Sequence, residues 1–441
     1  MTSPNGPRPI VRAMARREFL VASAAGAAGL LTARAWAATP ARRPKLISRE
    51  VFLKSPAPKT SVAASTFYVR GTGLDKLCVA TTGTRSDTAD TLRRRFSADN
   101  GRTWSDWEAI SFITRTPQGV RRVGSGPGWI DPATGRMLSI ASDSLLPTDM
   151  PKEGLKTRTL RYRVSVDGGR TNAVDRQIIQ QGDYTAKHPI EGVWVGRNSM
   201  SVGAISCRPI ARSDGKLLVP FQSAPVGPDG RYYNPGGGYT YGDAAVLIGT
   251  WNDDLSIAWH VSERVVADPA RSTRGCLEPT IAQMPDGRIL MVLRGSNDRK
   301  PKLPGYKWFA TSDDGGVHWT KPTPWTYTDG SGFFSPSSCS QLVHHSSGRY
   351  YWIGNIVPKN PRGNLPRYPL VIGQIDPRSL LLIRSTIAQI DTRGPDETGD
   401  LQLSNFLAYE DRPTGQITLH LTRMFPKNGW RGDAYVYQIE V

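Results

Sequence analysis

Short apolar runs alternate with polar turns along this chain, and the alternation recurs at a regular interval. The pattern is clearest at Asp214-Gly215-Lys216-Leu217-Leu218-Val219 and Asp286-Gly287-Arg288-Ile289-Leu290-Met291. It returns at Leu74-Asp75-Lys76-Leu77-Cys78-Val79 and Thr134-Gly135-Arg136-Met137-Leu138. Weaker copies stand at Ser347-Gly348-Arg349-Tyr350-Tyr351-Trp352 and Thr414-Gly415-Gln416-Ile417-Thr418-Leu419. Asp-Gly and Ser-Gly between apolar runs signal hairpins, because glycine accepts the positive φ of the turn. Counted at residues 76, 136, 216, 288, 349 and 416, the copies lie 60, 80, 72, 61 and 67 residues apart. Each interval is the length of a four-stranded sheet with its loops, so the pattern predicts six repeated sheet units.

A second element follows five of the six turns by about 20 to 35 residues. Ser97, Asp99, Gly101, Thr103 and Trp104 make a complete S-x-D-x-G-x-T-W box; Ser165, Asp167, Gly169 and Thr171 lack only the Trp. Ser312, Asp314, Gly316 and Trp319 carry His318 in place of Thr, and degenerate copies begin at Asn252 and Gln374. The Asp can bond the turn's own amides, the Gly adopts φ > 0 and the Trp packs between sheets. Composition agrees: Gly and Pro make up 78 of 441 residues, about 18% against a usual 12% or so, which excludes a helical fold.

These residues resemble the sialidase superfamily of Asp-box (BNR-repeat) proteins, over residues 48–441. The resemblance implies an all-β, six-bladed β-propeller in one domain. Its boxes lie on the outer rim, so function has to be argued from the site. A sialidase-type site implies three arginines on a carboxylate, a Tyr nucleophile, its Glu partner and an Asp acid/base. Glu278-Pro279-Thr280-Ile281, leading through Pro285-Asp286-Gly287-Arg288 to Arg294, is similar to the stretch from that Glu to a triad Arg. Arg367 resembles the third arginine, with Arg362 nearby. Asp87, ten residues before Ser97, resembles the acid/base, with Asp90 in reserve.

Two positions depart from the family pattern. No Arg stands near Ala64-Ser65-Thr66-Phe67, where the first triad arginine belongs, and Arg70 is offset. Leu403 takes the place of the nucleophile, with Tyr409 six residues on, and an aliphatic side chain forms no glycosyl-enzyme. Either the register of this match is wrong or the chemistry differs from that of a Tyr-dependent sialidase. Arg208, after Cys207, is the candidate replacement for the missing arginine. Cys207 and Cys276, on successive units, are expected as buried free thiols, with a disulfide as the alternative. Two insertions flank the third unit: Tyr184 to Ser201, with His188, and the Gly-rich segment with Tyr232, Tyr233, Tyr239 and Tyr241. Tyr233 and Tyr241 are candidate sugar-stacking residues, and His188 with either Tyr is a candidate lyase acid/base pair. A carbohydrate-binding propeller without catalysis is the third reading.

The chain carries 56 Lys+Arg against 38 Asp+Glu, a net +18, which favours anionic partners. Arg16-Arg17, then Phe19-Leu20, an Ala/Gly/Leu-rich stretch and Ala35-Trp36-Ala37 resemble a twin-arginine export signal. Residues 1–37 are therefore expected to be removed, 38–47 to be a linker and 48–441 to be the mature domain. Export directs the basic charge toward an anionic glycan or polysaccharide rather than nucleic acid, with no membrane attachment after cleavage and a periplasmic, cell-surface or extracellular location. Neither a metal nor a cofactor is indicated.

Overall fold

The computed structural model describes residues 41–441; the expected export signal lies outside them. The described residues form 28 β-strands, one four-residue α-helix (Gly154–Thr157) and two 3-10 turns, an all-β chain as expected. Each of the six repeated turns leads into a strand: Lys76–Gly83, Met137–Leu146, Leu217–Ser223, Ile289–Arg294, Tyr350–Asn355 and Ile417–Met424. Each of these is the second strand of an antiparallel group, counting from Gly119–Val123 in the second group, where Ile113–Thr116 adds an outer strand and Trp129–Ile130 pairs off the path. The groups make five hydrogen-bonded sheets, because the first and last share an eight-stranded sheet through one pairing, Ser61 with Gly432.

Burial explains why the second strands read as unbroken apolar runs. Every residue of Ile289–Arg294 and of Tyr350–Asn355 is buried, because each strand is covered on both faces by neighbouring groups. The apolar clusters bridge consecutive groups in chain order. Leu217 and Trp259 pack with Leu138 and Tyr162, and Leu290 packs with Trp352. Leu407 of the last group joins Phe67 and Leu77 of the first, so the circuit of packing closes on itself.

Strand Lys45–Leu53 completes the last group by pairing with Gly432–Glu440. It starts inside the stretch expected as a linker, and Arg42 donates to the carbonyl of Val441. The boxes form as the sequence predicts: Asp99 accepts from the Thr103 amide at 2.8 Å and from its hydroxyl at 2.6 Å, and Asp167 and Asp314 repeat the pattern. All four cysteines are free and buried, so Cys207 and Cys276 do not pair. Among the described residues no helix is long and apolar enough to cross a membrane.

The antiparallel order puts every loop between second and third strands at one end of its group, opposite the boxes. These loops are 84–90, 147–158, 224–242, 295–306, 356–369 and 425–431.

Candidate active site

Glu278 sits near the start of its group's first strand and Arg294 at the end of the second, with Leu277 facing Arg294 in the register. A β-bulge between Leu277 and Thr280 and a left-handed backbone at Glu278 (φ +47°) turn the carboxylate out of the ladder's regular alternation. Such conformations cost of order 1–3 kcal/mol and persist where surrounding structure enforces them. Here Gln222 accepts the Glu278 amide at 2.7 Å, and Gly203 leaves room: a Cβ there would lie 3.0 Å from Glu278 Cγ.

Arg294 Nη1 donates to Glu278 Oε1 at 2.6 Å, its Nε to Ser337 Oγ at 2.9 Å and its Nη2 to Asn364 at 3.2 Å. Arg367 donates to the Ser337 carbonyl at 2.9 Å and to Gln402 at 2.7 Å. Burial alone would raise the Glu278 carboxyl, but Arg294, backed by Arg367, Lys307 and Arg274, holds it below the usual range. It is a carboxylate at neutral pH. Its Oε2 and the Nε of Arg367 are buried without hydrogen-bond partners. Burial pushes Arg367 and Arg274 down to about 10 and Lys307 to about 7.

Arg274 is the residue that sequence reasoning missed. Its guanidinium is anchored on Thr240 and interacts electrostatically with Glu278, Arg294 and Arg367. It precedes Glu278 by four residues in Ser272-Thr273-Arg274-Gly275, a loop with no periodic signal. Arg208, expected to replace the first arginine, is instead bonded to the carbonyls of Pro127 and Gly128. Those bonds commit it to a neighbouring loop, and the arginines acting on Glu278 do not include it.

Asp87 is exposed, with φ +55°, on the loop 84–90. Its charge is felt at Arg367, Arg158 and Tyr239, which belong to three different loops. Asp90 is occupied by Thr84, whose amide and hydroxyl both donate to it at 2.8 Å. Arg362 is exposed, whereas Arg367 is buried in the cluster.

The other expectations fare differently. Leu403 is fully buried, and its amide donates to the Arg367 carbonyl. Tyr409, at the far end of Gln402–Glu410, bonds Thr66 at 2.6 Å and stacks on His420, so it does not stand in for the nucleophile. Arg70 pairs with Asp75 beside the hairpin turn, at the opposite end from the site. His188 is stacked on Trp194 with Tyr184 at its edge, and Tyr241 is buried with its hydroxyl on the Ala267 carbonyl. The lyase pair of His188 with Tyr241 is therefore not assembled. Tyr233 is half exposed on the Gly-rich segment, but Tyr239 is the ring facing the cations, with Lys152 at 4.1 Å and Arg274 at 5.8 Å. The last group has a similar bulge between Leu403 and Phe406, where Asn405 has φ +59° and is exposed. Among the described residues no three His, Cys, Asp or Glu gather as a metal site.

The sequence matches the BNR repeat-like domain model over residues 149–381, more than half of the chain. No curated protein matches it. Among solved structures, a Dyadobacter fermentans protein of unknown function superposes with a TM-score of 0.55 at 14% identity, over 90% of this chain and 99% of that one. A K499G mutant of the NanB sialidase from Streptococcus pneumoniae gives 0.55 at 12% identity, over 88% and 70%. A leech intramolecular trans-sialidase bound to 2,7-anhydro-Neu5Ac gives 0.51 at 14%, over 91% and 68%. At these identities the likeness is one of fold. The repeats, the closed circuit of sheets and the matched domain together place this chain in the BNR repeat-like family, on a sialidase-like propeller.

Proposed function

We propose that the protein is an exported glycoside hydrolase that cleaves an anionic glycan at the Glu278 cluster. One observation carries the reading: a buried carboxylate with one free oxygen stands among three arginines, Arg274, Arg294 and Arg367, with Lys307 beside them and the Nε of Arg367 also unpartnered. Arginine forks match carboxylate and sulfate geometry, so the cluster suits an acidic sugar. In this reading Asp87 gives its proton to the glycosidic oxygen as the C–O bond breaks. Water adds to the anomeric carbon, and Glu278 takes its proton. No nucleophilic Tyr is then needed; such an inverting reaction requires the two carboxyl groups on opposite faces of the sugar, about 6.5–9.5 Å apart. Replacing Arg274 with Met should raise KM roughly 10- to 100-fold, the weight of one or two charge-assisted hydrogen bonds, with a smaller change in kcat. An unchanged KM for every acidic substrate would remove Arg274 from the clamp.

The second reading is a glycan-binding propeller without catalysis. Leu403, buried where the family has its nucleophile, favours it. Export is part of the proposal and is checked separately, by the N-terminal residue of the secreted protein, expected at Ala38.

A further inference from the structure

We infer that the site has a second anion pole, Arg158, and takes a glycan with acidic groups on two adjacent sugars. This rests on the hydrolase reading above and adds the substrate's charge pattern to it. The loops 84–90 and 147–158 are stitched together. Arg85 donates to the carbonyl of Asp149 at 3.0 Å and to its carboxylate at 2.7 Å. Arg122 forks onto the same carboxylate at 2.6 and 2.8 Å and reaches the Ala89 carbonyl at 2.7 Å. Asp149 thus serves two arginines. Arg158, at the end of the same segment, has no carboxylate within ion-pair distance among the described residues. Among the described residues its guanidinium makes one hydrogen bond, from Nε to Ser144 Oγ at 3.1 Å, and neither terminal nitrogen is bonded.

The guanidinium folds back over Gly154, where a Cβ would lie 2.6 Å from Nη2. Burial lowers its pKa, and Asp87 is the charge that opposes the shift. A half-buried guanidinium with an open fork and no ion-pair partner can take an anion in bidentate fashion. Position supplies the rest. Asp87 lies on the loop bonded to Arg158's own segment, and its charge acts on both Arg158 and Arg367, so the residue assigned to the glycosidic oxygen links the two arginines. That oxygen joins two sugars. The Glu278 cluster then holds the acid of one sugar and Arg158 the carboxylate or sulfate of its neighbour.

The test uses the full chain and three tetrasaccharides, with affinity read by calorimetry. One probe alternates uronic acid with sulfated hexosamine, the second is its unsulfated form, and the third is a homopolymer of uronic acid. The first and third carry an acid on every sugar and the second on every other one. Wild type should bind the first or third at least about 10-fold more tightly than the second, and which of them it prefers tells sulfate from carboxylate. Arg158→Gln should abolish the preference while leaving the affinity for the unsulfated probe within about twofold. Gly154→Ala, which crowds the guanidinium, should reduce it in the same direction and guards against a folding defect in the first variant. Equal affinity of wild type for all three, binding of none of them, or a uniform loss in both variants overturns the second pole. Binding that keeps the Arg158-dependent preference without any cleavage would instead sink the hydrolase reading alone.

Discussion

Asp243 shows at the residue scale how burial without a partner tunes a single group. It opens the third strand of the third group, its Oδ1 is buried and unbonded, and burial pushes its carboxyl up to about 6 against the pull of Arg264. A folded-state pKa above the unfolded value means that ionisation is disfavoured in the folded protein. The resulting stability is present below about pH 4 and is lost as pH rises through 6. Asp243→Asn should therefore gain on wild type between pH 4 and 6, by about 1–3 kcal/mol, and hold that margin to pH 7. Thermal melts across this range check it; a margin that shrinks with rising pH would contradict the assignment. Residue identity was only partly legible in the sequence. Glu278 and Arg294 could be paired because a hairpin of known turn type separates them. Arg274 could not, because its nearness to them depends on how a loop without periodicity folds over the Gly-rich segment. Arg208 failed as an expectation for the complementary reason: its position before the third unit was readable, and its bonds to the carbonyls of another loop were not.

At the scale of elements, closure of the circuit depends on contacts between the first and last groups. Strand Lys45–Leu53 supplies one part and a buried polar cluster the other. Lys76 pairs with Asp411 at 3.2 Å, and Asp411 also accepts from Tyr68 at 3.2 Å and Asn100 at 2.8 Å. The ammonium lies 4.7 Å from the Tyr68 ring and 5.1 Å from that of Tyr409. Removing one partner of a buried ion pair leaves the other charge uncompensated, at about 3–5 kcal/mol. Asp411→Ala should lower the unfolding free energy by that amount in urea titration, and a loss below 1 kcal/mol would mean that closure rests on Lys45–Leu53 and apolar packing alone. Element existence was legible throughout, since all six turn signals precede second strands. The start of the domain was not, because Lys45–Leu53 carries its apolar residues as Leu46-Ile47 and Val51-Phe52-Leu53, without strand alternation or a turn signal before it, and is held by pairing with the chain's last strand.

At the scale of the molecule, the fold sorts its loops. The box turns go to one end and the loops between second and third strands to the other, where Asp87, Arg158, Tyr239, Arg294 and Arg367 meet from five of the six groups. The net charge of +18 fits an anionic glycan as the thing attracted. The central claim is that Glu278 turns this cluster from a clamp into a catalyst. Its most direct test is mass spectrometry of products formed in ¹⁸O-water from sialoglycans, sulfated glycans and uronic-acid polymers, by wild type and Glu278→Gln. The account predicts a released acidic sugar carrying one ¹⁸O, with the rate falling at least about 100-fold in the variant while binding persists. Cleavage that survives the substitution, an unsaturated product, or no product from any anionic glycan would contradict it.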